Sequence, residues 1–180
     1  ELYTINSNNL DVPIFKFSTG VGGNSMSFEI VPSVLQSDGY YEKPPQPASK
    51  FTMLFRNDNQ GSASANSGWF VQFKQGVLQS TDFTVSNATS NEIVGVDVAN
   101  INETDFWLWQ LSSGGIPSTL WTRLDSTVGN NVIYNSLKNE IKTFYSLSPR
   151  INDQVDINFS DGTYGQIPNG SFKAYYRISN

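Results

Sequence analysis

The run Phe106-Trp107-Leu108-Trp109-Gln110-Leu111 constrains this chain more than any other stretch. Read at the two-residue period of a strand, it is apolar on both faces, with Phe106 and Leu108 on one and Trp107, Trp109 and Leu111 on the other. Such a strand is covered on both sides; a central core strand is the first reading, a second face that meets another subunit the second, and a tryptophan platform for sugar the third. Shorter strand candidates surround it: Val12–Phe17, Met26–Val31, Phe51–Phe55, Trp69–Lys74, Val77–Val85, Glu92–Val98 and Leu120–Leu124. Gln75-Gly76 marks a hairpin between two of these, Asn100–Asp105 a turn, and Gly114-Gly115-Ile116-Pro117 a loop. Val132–Tyr145 is the one helix candidate, because Ile133, Leu137 and Ile141 recur at helical spacing. Asn135 and Asn139 limit it to a turn or short helix, and Phe144-Tyr145 returns to strand. The expected fold is mainly β, with multiple short antiparallel strands in sandwich-like or mixed sheets and at most one or two short helices.

The last stretch, Asn152–Asn180, repeats the pattern with stronger punctuation. Val155, Ile157 and Phe159 alternate with Asp156 and Asn158, then Asp161-Gly162, Gly165 and Pro168-Asn169-Gly170 supply turn chemistry. In the strand that follows, Phe172, Ala174, Tyr176 and Ile178 point one way, and Ser171, Lys173, Tyr175 and Arg177 the other. Three regions are expected: an extended arm over 1–50, a β-rich domain over 51–147, and a C-terminal strand pair over 148–180. The arm carries short strands and ends in a proline-rich connector, Tyr40–Pro47. Beginning at Glu1 and stopping inside a strand-like segment, the chain is expected to be a piece of a longer protein.

At 180 residues the chain is long enough to bury a substantial core. Only 15% of its residues are charged, with Asn, Ser and Thr filling polar positions, as in extracellular and virion β-proteins. A net charge of −5 argues against a phosphate-binding surface, so no nucleic-acid partner is expected. The absence of cysteine and histidine closes off disulfides, thiolate nucleophiles, Ser-His-Asp triads and imidazole metal sites. No apolar run approaches bilayer length, so no membrane partner is expected.

Several local patterns are set aside. Gly20, Gly22 and Gly23 miss the dinucleotide spacing, and Asn57, Asp58 and Asn59 lack the closing glutamate of a calcium loop. The sequons at Asn87, Asn102, Asn158 and Asn169 arise freely in an Asn- and Ser-rich chain. No cofactor, metal or catalytic residue is assigned.

The wording of the C-terminal stretch, F-x-D-G-x-x-G-x-I-P-x-G followed by an aromatic strand ending Y-Y-R-x-S-N, resembles the J-like baseplate wedge proteins of contractile-tailed bacteriophages, particularly T-even-like marine phages. Phe159, Asp161, Gly162, Gly165, Pro168, Gly170, Tyr175, Tyr176 and Arg177 carry the resemblance, which extends in wording to Phe70–Phe83 and Asn100–Leu111. Ser160 departs from it, since many family members have glycine there. The resemblance implies a non-catalytic virion protein that braces the tail baseplate, assembled in the host bacterial cytoplasm. Its implied partners are other wedge subunits, with self-association possible. Trp107, Trp109, Phe172, Tyr175, Tyr176 and Ile178 are the candidate interface residues. Two other classes stay open. One is a carbohydrate-binding β-sandwich, with Trp69, Trp107, Trp109 or Trp121 stacking on sugar. The other is a carboxylate-only glycosidase with two acids across a cleft.

Overall fold

The structure, a computed structural model, describes residues 15–21, 24–46, 54–56, 68–125, 127 and 141–179. It divides into two compact units, Glu1–Val77 and Leu78–Asn180.

The first unit contains β1 (Phe15–Val21), β2 (Asn24–Val31), β3 (Ser33–Gln36), β4 (Gly39–Glu42), β5 (Leu54–Arg56), β6 (Gly68–Phe70) and β7 (Gln72–Gln75). An antiparallel sheet runs in the order β1-β2-β7, while β3 with β4 and β5 with β6 form two-stranded pairs. Residues 15–46, expected as an extended arm, are therefore largely paired strand. Tyr40-Tyr41-Glu42, read as the start of the proline-rich connector, belong to β4, where Tyr41 lies opposite Val34. The β-favouring tyrosines win over the neighbouring prolines, which follow the strand instead of interrupting it. Residues 47–53 and 57–67, with the candidate calcium loop, lie outside the described residues, as do Gly22 and Gly23.

Among the described residues the second unit is built from β8 (Val77–Val85), β9 (Ile93–Val96), β10 (Ile101–Leu111), β11 (Pro117–Arg123), β12 (Phe144–Pro149), β13 (Val155–Phe159) and β14 (Gly170–Ile178), with a 3-10 turn at Ile151–Asp153. These seven strands form one mixed sheet in the order β8-β14-β10-β11-β12-β13-β9. The two-sided apolar strand, β10, is central, between β14 and β11. The described fold is mainly β, as its alternation predicts.

Three local expectations change. Gln75-Gly76 is not a hairpin: β7 pairs with β2 and β8 with β14, so Gly76, at φ 102°, passes the chain between sheets. Asn100–Asp105 is not a turn, because Ile101 already belongs to β10 and Glu103–Asp105 form a bulge opposite β14, between the paired Asn102 and Phe106. The C-terminal strands do not pair with each other: β13 lies between β12 and β9, and β14 between β8 and β10. A parallel pair, β11–β12, also enters the sheet. Parallel pairing needs a long crossover, which the chain between Arg123 and Phe144 provides. The helix candidate Val132–Tyr145 sits there. Its part up to 140 lies outside the described residues, and Phe144-Tyr145 open β12 as expected.

The sheet is rolled, and ring distances show it. β14 and β13 stand four places apart in the order, roughly 19 Å across a flat sheet at about 4.8 Å per strand. Phe159 and Phe172 on those strands nevertheless have ring centroids 5.8 Å apart. Trp121, from a strand between them, meets both rings edge-on at 5.3 and 5.5 Å. The concave side is closed by Val85, Val96, Phe106, Leu108, Tyr145, Ile157 and Ala174, so one core serves all seven strands. The inward residues of β13 and β14 are those their alternation assigns: Val155, Ile157 and Phe159, then Phe172, Ala174 and Tyr176.

Candidate functional site

The signature residues converge on the connection between β13 and β14. Because these strands lie far apart in the sheet, the connection is a crossing segment that must be held along its length. Ser160, buried at the end of β13, holds its first half: its hydroxyl accepts from the backbone N–H of Gly162 at 3.4 Å and of Gly165 at 3.2 Å. The Asp161 carboxylate accepts from the Thr163 N–H at 2.8 Å and the Thr163 hydroxyl at 3.1 Å. This is the side-chain-to-backbone closure that Asp provides in turns. The serine that departs from the resembled wording thus supplies two bonds that glycine has no atom to make.

Glycine is required at two places here. Gly162 has φ 89°, and a Cβ on it would lie 2.8 Å from Cδ1 of Ile167. Gly165 is limited by space: it lies against Phe144 and Ser160, and the Gln166 N–H donates to the Lys142 carbonyl at 2.8 Å beside it. Gly162→Val is expected to lower stability by at least about 1 kcal/mol, because a β-branched residue at positive φ is strained. An unchanged urea midpoint would contradict that geometry.

The electrostatics of the loop follow from the same bonds. The hydrogen bond from the Thr163 backbone first of all, helped by the Thr163 and Ser160 hydroxyls, holds the Asp161 carboxyl below the usual carboxylate range against an opposing desolvation. Its folded pKa is depressed, so its contribution is present above the unfolded value and is lost as pH falls through the folded value. Asp161→Asn keeps an acceptor but removes the ionisation. The variant and parent are expected to differ in thermal midpoint at neutral pH and to converge below the carboxylate range. A difference independent of pH would refute this.

The remaining signature residues are also engaged in the fold. Pro168 is buried, and Gly170, at φ 101°, opens β14. Gln110 ties the loop end to the core, donating to the Asn169 carbonyl at 2.8 Å and accepting from the Trp121 indole at 3.2 Å. Tyr176 stacks on Phe106 at 6.0 Å, and its hydroxyl lies 2.7 Å from that of Thr81. Arg177 is fully buried with its Nε 3.5 Å from Asp105 Oδ2. Asp105 carried no sequence signal, since it was read as part of a turn.

The candidate interface residues separate into two faces. Phe172 and Tyr176 are 0% and 1% exposed and belong to the core, which leaves them no surface to offer. Ile178 packs against that core. Trp107, Trp109 and Tyr175 take the opposite face of the β10–β14 pair, where Trp107 lies opposite Tyr175 in register. Trp109 is buried there, whereas Trp107 and Tyr175 are half-buried. The Lys173 ammonium stands 5.9 Å from the Tyr175 ring centre and 2.8 Å from Asp82. Of the proposed sugar-stacking tryptophans, Trp121 is a core residue, and the Trp69 side chain lies outside the described residues.

Among the described residues, no three acidic groups cluster as a metal site. Asp97 and Asp156 both approach Arg150 Nη1, at 2.6 and 3.5 Å, which forms an exposed ion triad. No described helix is long and apolar enough to cross a membrane.

Compared with known families, residues 1–180 match the model described as "Domain of unknown function (DUF8360)". No curated protein and no solved structure matches the chain.

Proposed function

We infer that this chain, which belongs to the DUF8360 family along its whole length, is a non-catalytic assembly protein acting through contacts with other protein subunits. The observation that carries the reading is the use made of the signature residues. The Asp161 carboxylate closes a turn, Gly162 and Gly165 admit close packing, and Tyr176 and Arg177 are buried. Groups spent in this way serve an architectural module, whose working parts are its surfaces. The half-buried Trp107–Tyr175 pair, with Lys173 beside it, has the residue types that anchor protein interfaces.

In its finer form the reading is a wedge subunit of a contractile phage tail baseplate, and that form rests on the C-terminal wording alone. Its partners are then other wedge subunits or further copies of the chain, and its place is the virion. The test has two arms. The genomic region around the coding sequence is expected to hold tail genes. The tagged chain, co-expressed with the products of those genes, is expected to co-purify with at least one, and Trp107→Ala/Tyr175→Ala is expected to abolish capture while the variant keeps a cooperative thermal transition. Neighbouring genes of unrelated function would remove the baseplate assignment, and capture of no neighbour product would remove the assembly reading.

A further inference from the structure

We propose that the open groove where β8, β14 and the end of β10 meet is a binding site for a neutral saccharide. The groove has a volume of about 710 Å³ and lies wholly within the second unit. That size falls within the range of small-molecule sites. Its polar lining comes from separate elements: Asp82 and Thr84 from β8, Ser112 and Ser113 from the β10–β11 turn, and Ser171 from β14. Each hydroxyl both donates and accepts, and the carboxylate accepts at two oxygens, which is the complement of a polyol.

Charge selects among polar ligands. The groove lining contains a carboxylate and no lysine or arginine. The nearby Lys173 ammonium is ion-paired with Asp82 at 2.8 Å. An anionic ligand would therefore meet Asp82 without a dedicated cation, whereas a neutral sugar offers the carboxylate hydroxyl donors. Phe83 borders the groove: it is half-buried and stacks at 5.4 Å on the fully buried Phe172, so that wall is held by the core.

The groove is also built rather than loose. The Ser171 and Thr84 hydroxyls lie 3.1 Å apart, which joins two of its walls. The third wall is a tight turn, in which the Gly115 N–H donates to the Ser112 carbonyl at 2.9 Å and the Ser112 N–H to the Ile116 carbonyl at 2.8 Å. Gly115 has φ 73°, and nothing lies within 4 Å of where its Cβ would sit, so the turn leaves the groove open. No tryptophan lines it, which separates this site from the platform considered from sequence. It is independent of the assembly reading, because it uses neither Trp107 nor Tyr175.

The test is a titration of the isotope-labelled full chain with maltohexaose, cellohexaose and chitohexaose, with inorganic phosphate as the anionic probe, read by amide chemical shifts. At least one oligosaccharide is expected to shift Thr84, Ser113 and Ser171 saturably at millimolar concentration or below, while phosphate leaves them unmoved. Ser113→Trp places a bulky ring at the mouth from an exposed turn and is expected to weaken binding at least about tenfold at an unchanged thermal midpoint. Thr84→Val removes one hydroxyl at similar volume and is expected to weaken it severalfold. The proposal is overturned if none of the sugars moves these amides, if phosphate moves them instead, or if both variants bind as the parent does.

Discussion

Gly165→Ala is expected to destabilise the second unit by about 3 kcal/mol, the upper end of what overpacking a filled interior costs. A Cβ on Gly165 would lie 2.4 Å from Cζ and 2.6 Å from Cε1 of Phe144, and 2.7 Å from Cβ of Ser160. These are closer than any side-chain approach a folded protein sustains, and both neighbours are 1% exposed. Phe144 is fixed by its strand, and Ser160 by its bonds to two amides of the same loop. The loop must therefore lift, which opens the Phe144 ring to water, or the strand must shift. Gly114→Ala is the control. Its nearest atom would be Ser112 Oγ at 4.0 Å, and its effect is expected to stay within about 0.5 kcal/mol. Equal urea midpoints for the two variants would show that the loop does not seat on Phe144 as described.

Asp105→Ala is expected to cost about 3–5 kcal/mol, because it removes the carboxylate from beside a buried guanidinium. Arg177 is fully buried and Asp105 is 4% exposed, so water is poorly placed to take over the charge. The carboxylate is itself held, since Asn102 Nδ2 donates to Asp105 Oδ2 at 3.3 Å within the bulge of β10. A buried pair of this kind is costly to break but not costly to replace. The double variant Asp105→Leu/Arg177→Met is therefore expected to be more stable than Asp105→Ala, despite carrying two changes. A loss below about 1 kcal/mol in Asp105→Ala, or a double variant less stable than it, would rule out the pair as a strong local constraint.

By itself the sequence determined where the strands run and which of their residues face inward. Alternation is a local property, and a residue pointing into a core does so whatever partner lies across from it. Thus Val155, Ile157 and Phe159, and then Phe172, Ala174 and Tyr176, are buried as their spacing requires. Centrality of Phe106–Leu111 was legible for the same reason, and so was the positive φ of Gly162. The tertiary structure alone decided partners. Period-2 patterning is the same for a strand in a hairpin and for one that crosses the sheet, so β13 and β14 read as a pair although they are four places apart. Gln75-Gly76 misled similarly, because a positive φ turns the chain without stating what it turns towards. Polar burial was the least legible feature. Arg177 and Ser160 read as outward or variable positions, and they are buried because Asp105 and the Gly162 and Gly165 amides stand beside them. The Thr84, Ser113 and Ser171 groove was invisible for the same physical reason: hydroxyls scattered along a serine-rich chain line one groove only when strand pairing in the order β8-β14-β10 sets them side by side.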